Sequence, residues 1–268
     1  ELFGGYPTYL ADRLHPAVIR AAAITAPALR VLPSSSRRLS LGFRVGRLAR
    51  GAGLDAVGRH HAWKEILSTS QRAAVMHAGV RGDLDPLDVY RSRYARSAGA
   101  EPIARLQDLD LGTFLGDDLL SQTDRAGMAH GLEIRVPFLD AAVAGFAREL
   151  PDRVKLRGMR TKHVLREAAR PLLTEAIVRG PKQGFTAPAA AWLRGPLEPL
   201  ARDLLSASAL RRQGFLRPAA VTALLDRHVA RREDLSRTIW ALISFTVWAD
   251  NHGETAADPL PVRGPATT

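Results

Sequence analysis

A mostly α-helical chain is what this 268-residue sequence predicts, on three observations. Apolar residues recur at helical spacing, as Val143, Phe146, Ala147 and Leu150 do at i, i+3, i+4 and i+7. Nowhere does alternation of apolar and polar residues run long enough to read as strands. Nothing repeats with a period of about 20 to 50 residues, so a solenoid or propeller is not expected. If a sheet belongs to the protein, its strands are expected largely before Glu1. The first residues, ELFGGYPTY, carry no Met and no basic-then-apolar signal region, and they read as the inside of a structured motif. The chain is therefore expected to be a fragment.

Taken in order, residues from about Leu10 to Leu32 are Ala-rich and apolar, and Pro16 and Pro27 punctuate them into two short helices. Pro33 to Ser36 reads as a loop. Between Leu54 and Met76, the residues Trp63, Ile66, Leu67 and Met76 fit helical faces. Asp83 to Pro86 breaks the pattern, and Asp85 is a candidate N-cap for a short helix from Leu87 to Ala98. Pro137 biases Val136 to an extended backbone, so GLEIRVPFLD leaves its helix as a loop or short strand before the Asp140 to Leu150 helix. Val221, Leu224, Leu225, His228 and Val229 form another core-facing stripe, in which His228 packs rather than catalyses. Leu235 to Ala249, with Trp240, Phe245 and Trp248, is apolar on nearly all sides and predicts a helix buried against several neighbours. After Gly253 the composition is that of a loose tail.

Composition removes several function classes. The sequence has no Cys, which excludes disulfides, Cys-ligated metal centres and a thiol nucleophile within this stretch. Its eight His show neither HExxH nor HxxxH, so no metal site is expected. The longest uncharged apolar stretch, Thr238 to Ala249, is far shorter than the roughly 20 residues of a membrane span. A cytoplasmic protein with no membrane partner is the expectation. Against 27 acidic residues stand 38 basic ones, a formal charge of +11. The positive charge is mostly Arg spread along the chain, with no nucleic-acid signature, so it reads as solvated surface and no specific nucleic-acid partner is expected. Phosphate-bearing small molecules suit a minority of these cations.

Three segments carry candidate chemistry. In FLGDDLLSQTDRAGMAHGLEIRVPFLD, Asp117, Asp118, Asp124, Arg125, Glu133, Arg135 and Asp140 stand among apolar residues, which points to a charge network, either structural or functional. Lys162 opens the next helix, whose apolar positions are Val164, Leu165, Ala168, Ala169 and Leu172. A helix start with a Lys suits a phosphate, and a solvated Lys is the plain alternative. RGPKQGF, from Arg179 to Phe185, sets two cations, Arg179 and Lys182, in a permissive Gly and Pro turn. The P-loop, the dinucleotide GxGxxG and the GxSxG elbow are all missing.

Together, ELFGGY, the DR-xx-MA-x-GLE-x-RVPFLD run from Asp124 to Asp140, K-x-x-LREA at Lys162, PKQGF at Pro181 and the closing LSRTIWALISF resemble the synthetase domain of glutamine-hydrolysing asparagine synthetases. The motifs lie in the family's order and reach to about Asp250. The resemblance extends to β-lactam synthetases and lasso-peptide cyclases. It implies an α/β parent fold of the adenine-nucleotide α-hydrolase (ATP pyrophosphatase) type, with residues 1–252 the C-terminal portion of the domain and 253–268 a flexible tail. It implies ATP and Mg²⁺, held mainly by an SGGxDS loop and acidic residues upstream of Glu1. It implies adenylation of an aspartate carboxylate and displacement of AMP by ammonia, which a glutaminase domain of the same chain releases from glutamine; a homodimer is compatible with it.

By the same resemblance, Lys162 stabilises the departing pyrophosphate, Lys182 belongs to an active-site cover, and Glu133 and Arg135 border the substrate pocket. Asp124, Arg125 and Asp140 order that segment. Two departures each remove a cation: Gln122 where relatives often carry Lys, and Gly180 where they often carry Arg. They keep open two rivals, a related amide-forming ligase acting on another carboxylate and a non-catalytic helical interaction module.

Overall fold

The computed structural model describes residues 1–29, 41–81, 85–180 and 187–252. Among these residues helices carry the fold, and pairing of extended backbone is limited to two isolated bridges, Met76 with Leu216 and Arg157 with Arg160. The loop expected at Pro33 to Ser36, the PKQGF loop with Lys182, and the tail after His252 lie outside the described residues. The chain divides into two compact units, one of Glu1–Lys64 with Asp85–Gln183 and the other of Glu65–Leu84 with Gly184–Thr268.

In the first unit, the opening helix Pro7–Asp12 begins on a proline, whose fixed φ suits a first turn where its missing N–H is not needed. Pro16 likewise opens Pro16–Leu29, so the expected break is there. Pro27 does not break the chain; it stands in the last turn of that helix, which packs against Leu41–Ala49. The helix Ala56–Lys64 follows.

The helix Pro102–Asp110 also opens on proline, and its free N–H groups are met from afar. Ile103 and Ala104 donate to the Asp152 carboxylate at 2.9 and 3.1 Å. Its residues Ile103, Leu106, Gln107 and Asp110 fall on one face, and all four are buried. Tyr9, Ile103, Leu106, Leu109 and Leu156 make the core here, with Tyr6, Leu10, Tyr90 and Tyr94 packed against it.

Leu111–Leu120 continues that helix in π geometry, and Ser121–Met128 returns to α. A π-helical run of 10 residues is rare, and such stretches concentrate where function holds a backbone off its preferred path. GLEIRVPFLD then leaves the helix as expected, with Val136 extended and Pro137–Leu139 a single 3₁₀ turn. Asp140 caps the helix Ala141–Glu149 by accepting from the N–H groups of Ala142 and Val143. On that helix Ala147 is fully buried, whereas Phe146, expected in the core, is 61% exposed. Spacing places Phe146 on a face but cannot supply a neighbour to cover it. The helix after Lys162 spans only His163–Ala169, which leaves Leu172 beyond its end and exposed.

The second unit is built on Val75, Leu193, Ala201, Leu205, Leu210, Leu216, Val221, Leu224, Leu225, Leu235, Ile239 and Leu242. A capping box of Ser68 and Gln71 starts Thr69–Val75, and Ser206 caps Ala207–Gln213, which ends at left-handed Gly214. The stripe on Pro218–Val229 is buried as its spacing requires. His228 is fully buried there, its Nδ1 accepting the Leu235 N–H at 3.1 Å and its carbonyl accepting from Arg194 Nε at 2.9 Å. The helix Ser236–His252 buries only part of its surface: Ile239, Leu242 and Thr246 face inward, while Trp240 and Trp248 are about half exposed. The helix packs against several neighbours as expected, namely Ala189–Trp192, Glu198–Leu204, Ala207–Gln213 and Pro218–Val229, while Trp240 and Trp248 face outward.

Candidate functional site

The site is assembled within the first unit, around the opening segment Glu1 to Tyr6. A turn closes there through the Gly4 N–H and the Glu1 carbonyl at 3.0 Å, with Gly4 at φ +65°, a conformation that favours glycine. Gln107 fixes the turn to the core by donating to the Leu2 carbonyl at 3.1 Å, and buried Lys155 donates to Gln107 Oε1 at 2.8 Å. A Cβ on Gly5 would stand 2.6 Å from Cε of Lys162, so the lysine stem lies flat against bare backbone.

Lys162 reaches this place from a tight turn in which Arg157 and Arg160 exchange backbone hydrogen bonds of 3.1 and 3.0 Å. It immediately precedes His163–Ala169 and takes a left-handed backbone, φ 54° and ψ 36°. For a residue with a Cβ that conformation is strained by about 1–2 kcal/mol. Strain of this kind survives where neighbours over-determine it, and it is commonest at functional sites. Among the described residues the Lys162 ammonium has no hydrogen bond and no carboxylate within ion-pair reach. Arg166, one turn on, donates to the carbonyls of Val178 and Gly180, the latter at 3.1 Å, and so ties this helix to the backbone that leads into Pro181.

Behind the turn lies a buried charge cluster. Asp110, 1% exposed, receives the Tyr9 hydroxyl, the His60 Nε2–H at 3.0 Å and the Lys64 ammonium. His60, with no exposed surface, gives its other ring nitrogen to Asp12 Oδ2 at 2.7 Å. Burial alone would lift the Asp110 pKa, but hydrogen bonds from His60 and the two nearby cations outweigh it and hold the carboxyl down at about 2. Burial likewise works against a charged His60, and the bonds to Asp110 and Asp12 overcome it, so its pKa is raised. Burial pushes the Asp12 carboxyl up even against its bond to His60, so the cluster pairs two acids with two bases out of water.

The Lys64 ammonium also faces three rings, Tyr6, Tyr9 and Phe114, at 5.5, 5.7 and 5.2 Å from their centroids, within cation–π range. Phe114 is supplied by the π-helical stretch. The Tyr6 hydroxyl donates to the Glu1 carboxylate, and burial first, then the nearby carboxylates, push the phenol pKa up. The other carboxylate oxygen of Glu1, Oε1, is buried without a hydrogen-bond partner.

Of the residues singled out from the sequence, Lys162 is thus brought to the centre. Glu133 and Arg135 pair at 2.8 Å on the loop, 67% and 83% exposed. That loop reaches the turn through an edge-on contact of Phe138 with Phe3, centroids 5.7 Å apart. Asp140 serves as a helix cap, and Asp124 and Arg125 are exposed and form no ion pair among the described residues. The dense charges from Asp117 to Asp140 are therefore mostly surface and not one network, because that segment is exposed along nearly its whole length. Gln122 is engaged by Asp118.

His60, Lys64, Asp110, Tyr6 and Tyr9 were not singled out from the sequence. A signal existed: His60 and Lys64 are one turn apart on a helix, and Gln107 and Asp110 interrupt an apolar stripe that begins at Ile103 and Leu106. Polar residues on a buried face need partners, and those partners are about 50 to 100 residues away.

Comparison with known proteins agrees with this arrangement of motifs. The asparagine synthase family model matches residues 1–250. A Mycobacterium tuberculosis protein that carries the provisional name asparagine synthetase [glutamine-hydrolyzing] is 36% identical over 251 residues, 92% of this chain and 37% of that protein. Asparagine synthetase [glutamine-hydrolyzing] 1 of Bacillus subtilis is 32% identical over 161 residues, 60% of this chain and 25% of its own length. An amidase of Gibberella zeae is 28% identical over 160 residues, 57% of this chain and 24% of its own. No solved structure matches. The chain therefore spans little more than a third of the length of the first of these relatives.

Proposed function

Because the chain belongs to the asparagine synthase family, we propose that it supplies the C-terminal part of an ATP-dependent amide-forming centre, in which the side-chain carboxylate of aspartate is activated and then takes up ammonia derived from glutamine. On this reading residues 1–252 complete an α/β domain of the adenine-nucleotide α-hydrolase type, residues 253–268 are a tail, and a glutaminase domain of the same longer chain is the source of ammonia. The setting would be cytoplasmic; no described helix is long and apolar enough to cross a membrane. A homodimer is compatible with the proposal.

The observation that carries the reading is Lys162: a cation with no protein partner among the described residues, held in a left-handed backbone against Gly5, in the segment where Glu1 keeps a buried carboxylate oxygen without a hydrogen-bond partner among those residues. A carboxylate oxygen is a poor leaving group, and ATP, when bound, supplies a good one in AMP. The role of Lys162 is to place its ammonium where charge builds on the departing pyrophosphate, a contribution worth about 10²–10³ in rate for a single well-placed group. The Gly5 backbone lets the ammonium approach without a side chain in between.

The donor set fits a polyphosphate with its magnesium only in part. Glu1 Oε1 offers one oxygen of the kind Mg²⁺ accepts, yet among the described residues no group of three His, Asp or Glu side chains can hold a metal ion. Most of the ion's ligands are accordingly assigned to the rest of the longer protein. Lys182, which lies outside the described residues, is proposed to belong to an active-site cover. Glu133 and Arg135 are proposed to border the acceptor's pocket, where a freed guanidinium can grip a carboxylate with two parallel bonds. Asp140 orders this loop by capping, with Asp124 and Arg125 on the helix before it.

A second reading, a related ligase acting on another carboxylate, is favoured by Gln122 and Gly180, which remove two cations. The test is Lys162→Ala in the complete parent protein, assayed for ATP-dependent amide formation with aspartate and with a panel of other carboxylates. Loss of turnover with the fold intact is expected. Unchanged turnover would take Lys162 out of the chemistry, and activity confined to other carboxylates would favour the second reading.

A further inference from the structure

We infer that Asp110 is a positioning residue of the proposed centre, acting through Lys64 and Tyr6 on the Glu1 to Tyr6 turn against which Lys162 rests. The inference rests on the proposed role of Lys162 and goes beyond it, to residues that no motif marks.

The geometry forms an unbroken chain. His60, itself held by Asp12 at 2.7 Å, and the Tyr9 hydroxyl fix the Asp110 carboxylate from two sides. Asp110 in turn holds the ammonium of Lys64, which is buried except for 20% of its side chain. That ammonium is set among the faces of Tyr6, Tyr9 and Phe114, so its position determines where the Tyr6 ring lies. Tyr6 binds the Glu1 carboxylate and immediately follows Gly5, against which the Lys162 stem rests. A shift of Lys64 is thus passed to Tyr6 and from there to both the Glu1 carboxylate and the Lys162 ammonium.

A buried cluster of four titratable groups is an expensive way to stabilise a fold, since apolar residues of the same volume commonly do as well. What it provides that apolar packing does not is direction: hydrogen bonds fix a carboxylate and an ammonium to within a fraction of an ångström. The π-helical stretch beginning at Leu111 adds to this, because it starts immediately after Asp110 and supplies Phe114 to the same ammonium. The buried pair and the ring cage, one ring of which the irregular helix supplies, meet on Lys64.

The test uses the complete parent protein and four variants: Lys162→Ala, Asp110→Asn, Lys64→Met and the Asp110→Asn, Lys64→Met pair. Folding is checked by thermal melting, and kcat and KM for ATP are measured for each. Asp110→Asn keeps the volume and an acceptor for Tyr9 but frees Lys64. It is expected to lower kcat about 100-fold, the scale for an ångström-sized misplacement, with KM for ATP within about threefold of wild type. A residue that only stabilised the fold would lower the melting temperature and the active fraction without this split. Lys64→Met is expected to do the same, and the pair to be no worse than about threefold below the poorer single variant, since both act on one route. If Asp110→Asn does not fold, Lys64→Met decides alone.

Turnover that survives in Asp110→Asn or in folded Lys64→Met, in a parent that Lys162→Ala inactivates, overturns this inference and leaves the proposed function standing. Losses that multiply in the pair also overturn it. Turnover that survives in Lys162→Ala overturns the proposed function and the inference with it.

Discussion

Lys162 joins an electrostatic task to a strained backbone, and replacing it with Gly and with Ala separates the two. Either change removes the ammonium whose stem lies against Gly5, so both are expected to cost about 10²–10³ in kcat for ATP-dependent amide formation. Their stabilities should differ. At φ 54° and ψ 36° an alanine keeps the left-handed penalty of about 1–2 kcal/mol, which glycine escapes. Glycine gives back about 0.5–1 kcal/mol through its greater freedom in the unfolded chain. The Gly variant should thus be the more stable by about 0.5–1 kcal/mol, or about 1–4 °C in melting temperature for a protein of this size. The comparison cancels the loss of the lysine stem, which is common to both. Urea denaturation supplies the stability difference and steady-state kinetics the rate. A Gly variant less stable than the Ala variant would refute the claim that the fold forces Lys162 into a left-handed backbone. Turnover within threefold of wild type in either variant would refute the catalytic role.

Three further outcomes follow from single contacts. Asp152→Ala removes the carboxylate that meets the Ile103 and Ala104 N–H groups, and a loss of about 1 kcal/mol is expected in urea titration, with Asp152→Asn recovering most of it; equal stability for all three would show the cap to be idle. His228 is expected to make acid destabilising. Burial first, then Arg194, lowers its pKa, so the unfolded chain takes up protons that the folded one refuses, and stability present above the ordinary histidine pKa is lost as the pH falls through and below it. His228→Asn keeps an acceptor for the Leu235 N–H and should flatten that dependence between pH 7.5 and 5.5, whereas an unchanged slope would assign it to another group. Arg135→Ala breaks an ion pair that is mostly in solvent, so stability should move by less than about 0.5 kcal/mol. KM for the carboxylate acceptor should nonetheless rise, and an unchanged KM would remove Arg135 from the pocket.

Much of the local architecture was legible in the residues. Pro16 opens a helix, Asp85 accepts from the Leu87 N–H at its helix start, Val136 is extended before Pro137, and the Val221 to His228 stripe is buried. Each of these depends on neighbours a few positions away, where spacing and backbone preference act directly. The long motifs that place the chain in its family were readable in the same sense, because they are runs of sequence.

What faces a helix, and what a charge is paired with, was decided by tertiary structure. Phe146, Trp240 and Trp248 carry the right spacing for burial and stand exposed, since a stripe marks a face and only a packed neighbour covers it. Asp117 to Asp140 looked like the charged centre because its charges are adjacent in sequence, yet most of them are in solvent. The buried cluster draws instead on Asp12, His60, Lys64 and Asp110, four residues from three helices far apart in sequence. Their attraction is strong only after folding has removed water from between them, so the tertiary structure alone brings the cluster into being.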